Sequence, residues 1–142
     1  MQTKMNAIQM QEFMQEAFPQ VKDDFKVLDI SPMTAHIRMK IDERHLRPGG
    51  TVSGPSMFAL ADVSFYFALL GMIGPKALAV TTNCSIDFMR KPEAGRDLIA
   101  KARLLKLGKQ LSVSDVLLFS EGKAEPVARA SLTYAIPPRS MG

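Results

Sequence analysis

The sequence predicts an α+β domain in which a curved antiparallel sheet wraps around one long central helix, with a short helix ahead of it. Three observations predict it. The run PSMFALADVSFYFALL, from Pro55, is apolar on nearly every side and of helical length. Two strand-like segments precede it and four follow it. Tight turns join the last three of these, which makes them pair antiparallel, and the apolar face of such a sheet needs a cover that only this helix supplies.

The elements follow in order along 142 residues, read as a single domain over 1–142 with 1–24 as an N-terminal helical extension. At this length folding buries roughly two-thirds of the chain's surface, enough for a core without staples. Within 5–18, Met10, Phe13, Met14, Ala17 and Phe18 recur at helical spacing, and Pro19 ends the helix. Strands are predicted over 25–30 and 33–41 around a Ser31-Pro32 turn. The second alternates, with Ala35, Ile37, Met39 and Ile41 on one face and Thr34, His36, Arg38 and Lys40 on the other. LRPGGTVSGPS is a loop, and the central helix runs from Pro55 to about Leu70, closed by Gly71 and Gly74-Pro75. Strands over 77–89, 97–107, 111–120 and 127–136 complete the set, with turns at Gly108-Lys109 and Glu121-Gly122-Lys123. The tail, 137–142, reads as loose.

Composition narrows the function classes. A net charge of +4 without a dense basic run argues against nucleic acid and suits a small phosphate-bearing ligand. One cysteine, Cys84, leaves no internal disulfide and suits a reducing compartment. The opening residues mix polar and apolar types and do not read as a leader, and the apolar run around Asp62 reads poorly as a membrane span. A cytoplasmic protein without a membrane partner is the expectation. His36 and His45 have no paired spacing, so no metal site is expected. GTVSG is not a serine nucleophile elbow, and no nucleotide-type phosphate loop is present.

Asp62 is the residue that does not fit. It lies near the middle of the apolar helix, with Phe58, Phe65, Tyr66 and Leu69 on its face. A carboxylate there costs several kcal/mol of desolvation, of order, unless it is paired, hydrogen-bonded or protonated. One reading is structural, with the carboxylate bonded to Tyr66 or to nearby backbone. The other is a reactive carboxylate lining a pocket. Gly54 favours the second, because it stands at the helix entrance, where unpaired N–H groups can polarise a bound carbonyl.

The run GTVSGPSMFALADVSFYFALL resembles the helix-entrance motif of the hotdog-fold thioesterases of the PaaI type, roughly G-T-x-H-G-G followed by L-x-D. The resemblance extends over about 25–136. AVTTNCSIDFMRKPEAG is similar to the family's next strand and its ending, and ARLLKLGKQL to the following hairpin. It implies hydrolysis of acyl-CoA thioesters to a carboxylic acid and CoA, with no cofactor beyond the coenzyme A of the substrate. Asp62 matches the catalytic carboxylate, as nucleophile or general base. Gly54 matches the glycine whose N–H binds the thioester oxygen, and Thr81 the hydroxyl that helps place water. The resemblance also implies a homodimer or a dimer of dimers with shared active sites.

Three positions depart from the pattern. Ser53 replaces a histidine, Pro55 a glycine, and Arg47 stands where some relatives carry an asparagine near the carboxylate. Together with Phe58 and Tyr66 these are candidate substrate contacts. Arg90, Lys91 and Lys109 are candidates for the coenzyme A phosphates, against the plainer reading of solvated strand ends. Cys84 alternates with core-type residues and reads as packing. Two other functions stand beside hydrolysis: an acyl-CoA-binding hotdog module that does not turn over its ligand, and hydratase-type chemistry, which lacks a histidine beside Asp62.

Overall fold

A computed structural model describes residues 2–21, 23–75 and 79–136. The elements are α1 (Ala7–Ala17), β1 (Phe25–Ser31), β2 (Thr34–Met39), α2 (Gly54–Ile73), β3 (Val80–Phe88), β4 (Leu98–Leu107), β5 (Leu111–Ser120) and β6 (Pro126–Ala135). Short 3₁₀ turns cover Pro19–Val21 and Glu43–His45. The tail at 137–142 and the predicted start of the third strand at 77 lie outside the described residues.

The six strands form one antiparallel sheet in the order β1-β2-β4-β5-β6-β3. This is the expected hotdog arrangement, with α2 laid across the sheet and burying Leu60, Phe65, Phe67, Leu69 and Leu70 against it. Opposite them the inward residues alternate along each strand, Ala35, Ile37 and Met39 on β2 and Ala128, Ala130 and Leu132 on β6. Small residues on the strands make room for large ones on the helix. Ser64 is fully buried yet satisfied, because its hydroxyl donates to Leu60 O at 2.7 Å.

Two details differ from the sequence reading. The helix does not close at Gly71 but continues to Ile73, with Gly74 as its C-cap at φ 93°. Gly71 is there for close approach, since a Cβ on it would come within 2.9 Å of Ile30 Cγ2 on β1. The helix is also not covered all round. Phe58 and Pro55 are exposed, and Ala59, Asp62 and Val63 are half-buried, leaving one apolar stripe open along its N-terminal half.

The two sheet edges are treated differently. On β1 the side-chain amide of Gln11 donates to Phe25 O at 3.2 Å and accepts from Val27 N at 2.7 Å, so α1 occupies that edge. β3 forms the other edge beside β6, a crossover that hairpin signals do not reveal. Its Val80 and Phe88 are more than half exposed. Among the described residues α2 is the one helix long and apolar enough to cross a membrane, and its larger part is packed in the core.

Candidate active site

α2 starts where loop and capping chemistry place it. Buried His45 accepts from Asp42 N–H through Nδ1 at 3.0 Å, and its carbonyl accepts from Ser53 N–H at 2.7 Å. Ser53 is the N-cap: its Oγ accepts from Ser56 N–H at 3.3 Å and donates to Ser56 Oγ at 2.9 Å. Gly54 is the first helical residue, and among the described residues its N–H donates to no protein group. Pro55 follows without loss, since first-turn N–H groups are unpaired anyway.

Two turns further on, Asp62 turns its carboxylate toward β3 and β6. Thr81 Oγ1 donates to Asp62 Oδ1 at 2.6 Å. The Tyr134 hydroxyl lies 2.7 Å from the same Oδ1 and 3.0 Å from the Asp62 backbone oxygen. Thr81 and Tyr134 are cross-strand partners, and the register shifts just after Thr81, a bulge that sets how the strand presents it. Burial, and then the charge of Asp62, push the Tyr134 hydroxyl well above its ordinary range, so it stays a donor. Among the described residues Oδ2 of Asp62 accepts no hydrogen bond.

A cavity of about 350 Å³ opens beside this carboxylate, lined by Met14, Phe18, Val63, Tyr66, Phe67 and Val80 among others. Tyr66 does not bond to Asp62. Its hydroxyl is shut off from solvent with no partner among the described residues, and burial pushes it up to about 12. A second cavity, about 500 Å³, lies at the helix entrance between Gly54, Thr51 and Phe88, with Arg47, Arg90 and Lys91 around it. Eight residues separate Gly54 from Asp62, a rise of about 12 Å along the helix. One chain therefore places its free N–H and its carboxylate in separate cavities.

The profile of the thioesterase superfamily matches residues 49–127, more than half of the chain and the stretch that holds Gly54, Asp62 and Thr81. The chain belongs to the thioesterase superfamily. A candidate thioesterase from Silicibacter sp. TM1040 has a crystal structure similar to it at TM-score 0.91, with 55% identity over 97% of this chain and 96% of that one. Acyl-coenzyme A thioesterase PaaI of Escherichia coli is 31% identical over 87 residues, 61% of this chain and 60% of that protein. The E. coli PaaI structure superposes at TM-score 0.79 over 93% of this chain and 94% of its own, with 26% identity. Human acyl-coenzyme A thioesterase 13 is 27% identical over 116 residues, 82% of each chain. This is a hotdog-fold thioesterase of the PaaI type, and its reaction class is thioester hydrolysis.

The thioesterase brings some of the sequence candidates together and separates others. Asp62, Thr81 and Tyr66 share the apolar cavity; Gly54, Arg47, Arg90 and Lys91 share the basic one. Arg90 is already engaged, donating to Pro126 O at 2.8 Å and paired with Glu125 at 3.1 Å. Lys109 lies elsewhere. It sits in the turn before Leu111, which pairs with Ala135, whereas Phe88 beside the basic cavity pairs with Ala128, about 23 Å away along β6. Pro55 and Phe58 line neither cavity. Cys84 is half-buried on the edge strand, packed against the core, and burial followed by the charge of Asp62 raises its thiol. Sequence reasoning missed Tyr134. The available signal was its place in the inward series Ala130, Leu132, Tyr134, because a tyrosine hydroxyl in a core needs a polar partner.

Proposed function

We propose that this thioesterase hydrolyses acyl-CoA, with Asp62 as the reacting carboxylate. The observation that carries the reading is the asymmetry of Asp62, a residue that lines an apolar cavity: Oδ1 is held by Thr81 and Tyr134, and Oδ2 accepts no hydrogen bond among the described residues. Oδ2 takes a proton from water, the resulting hydroxide adds to the thioester carbon, the C–S bond breaks, and the proton returns to the coenzyme A sulfur. Alternatively Oδ2 adds to the carbon itself, the C–S bond breaks and coenzyme A leaves as its thiolate. Water then cleaves the mixed anhydride to the acid and free Asp62, its proton going to the thiolate. Single-turnover hydrolysis in ¹⁸O-water separates the two, because only the second carries label into Asp62.

Polarisation of the carbonyl falls to the Gly54 N–H at the positive end of α2. At about 12 Å along the helix from Asp62 it cannot serve the same thioester within one chain. The reading therefore requires a homodimer in which each subunit sets its Gly54 beside the other's Asp62. The β3 edge, which pairs with no further strand among the described residues, with exposed Val80 and Phe88 and the open stripe of α2, supports such pairing. Arg47 and Lys91, with Arg90 behind them, supply positive charge for coenzyme A phosphates. A cytoplasmic setting fits the free thiol of Cys84.

Thiol release from a panel of aliphatic and aromatic acyl-CoAs tests the proposal. Turnover dependent on Asp62 supports it. Binding without turnover would leave an acyl-CoA-binding module instead.

A further inference from the structure

The cavity beside Asp62 is built from two parts of the chain. Its chemical end, with Asp62 and Thr81, comes from the stretch matched by the superfamily profile, 49–127. Met14, Phe18, Val21 and Phe25, which also line it, come from the N-terminal part of the chain outside that stretch.

This N-terminal part is held in place. An Asn6–Gln9 capping box starts α1, the Gln11 amide bonds to both Phe25 and Val27 of β1, and Met10 and Met14 are almost completely buried. At the end of α1, Phe18 is the C-cap, and its ring stands edge-on to Tyr66 with centroids 5.9 Å apart. Phe18 keeps 36% of its surface exposed and lines the cavity. Among the described residues the lining is apolar apart from Asp62, Thr81 and the tyrosine hydroxyls. At about 350 Å³ the cavity lies at the small end of the roughly 300–1,000 Å³ range of ligand pockets, which suits a compact group.

We infer that this N-terminal segment is the acyl gauge of the enzyme: Phe18, backed by Met14 and Val21, ends the cavity and restricts the substrate to a compact apolar acyl group, a medium straight chain or a single ring. The inference rests on the reading of Asp62 as the site of attack. Phe18 is thus a specificity-determining residue, acting on the far end of the acyl group and not on the reacting carbon.

The test compares the full-length wild type with Phe18→Ala and Phe18→Trp on straight-chain acyl-CoAs from acetyl to palmitoyl. It reads kcat/KM for each length, and in parallel the Kd of matching non-hydrolysable S-alkyl-CoA thioethers. The expected wild-type profile peaks at medium length and falls toward palmitoyl. Phe18→Ala should raise the long-to-medium ratio about tenfold, within the range a few methylenes supply in an apolar pocket, and Phe18→Trp should shift the peak to shorter chains. An unchanged ratio in both variants overturns the inference, and so does a uniform loss across all lengths. Failure of the catalytic reading looks different: no Asp62-dependent hydrolysis at any length. The thioether Kd series then decides the gauge alone, by whether its cut-off moves with residue 18.

Discussion

Thr81 and Tyr134 face each other across β3 and β6, and both direct their hydroxyls at the same oxygen of Asp62, at 2.6 and 2.7 Å. This pair explains how a helix as apolar as α2 keeps a carboxylate in mid-run. Hydrogen bonds to a charged group offset its desolvation, and concentrating them on Oδ1 leaves Oδ2 without a donor among the described residues.

Removing either donor should therefore slow the reaction without abolishing it. Tyr134→Phe and Thr81→Val are each expected to lower kcat by about ten- to a hundredfold, the scale of one hydrogen bond to a charged group. The double variant should lose less than the product of the two, since both act on one oxygen. Steady-state kinetics with folding checked by circular dichroism measures this.

Mixed subunits test the shared site. Gly54→Pro removes the polarising N–H at a first-turn position where a Cβ meets the Phe88 ring at 3.3 Å, and Asp62→Asn removes the reactive carboxylate, so the fold of each variant is checked by circular dichroism first. Each variant alone should be inactive. Refolded together at equal amounts, they should recover about a quarter of wild-type activity, because half the twofold dimers are mixed and each mixed dimer holds one intact site. No recovery would place both groups in the same subunit.

Arg47→Ala and Lys91→Ala are expected to raise KM for acyl-CoA severalfold with little change in kcat, the signature of binding that does not change in the transition state. Added salt should weaken wild-type binding more than that of the variants.

Tyr66 gives a prediction about stability. Its buried hydroxyl has no partner among the described residues, so Tyr66→Phe should stabilise the fold by about 1 kcal/mol in urea unfolding. The hydroxyl is raised from 10 in the unfolded chain to about 12 in the folded protein. The folded state thus holds its proton more tightly, and the associated stability is intact below pH 10 and lost as pH rises toward 12. In Tyr66→Phe this alkaline loss should be shallower.

Much of this architecture was legible in the residues. The apolar run with one carboxylate announced both the buried helix and the candidate reacting group, and alternation such as that of Ala35, Ile37 and Met39 placed β2 and its faces. Less legible was anything decided across the sheet. The adjacency of β3 and β6 joins segments that no turn connects, so the Thr81–Tyr134 pairing left no local trace. Gly71 looked like a stop because glycine disfavours helix, yet its role is the 2.9 Å approach to Ile30. Lys109 and Arg90 both sit near strand ends, and only the register shows that these ends are opposite. The N-terminal helix read simply as amphipathic, since its period cannot say that Phe18 borders a cavity.

The most direct test of the central claim is thiol release from acyl-CoA by the wild type and by Asp62→Asn, with the fold of both checked by circular dichroism. Asp62→Asn keeps the shape of the side chain and removes its charge. The account predicts a folded variant with nearly all turnover lost. A folded variant that hydrolyses acyl-CoA at the wild-type rate would contradict it.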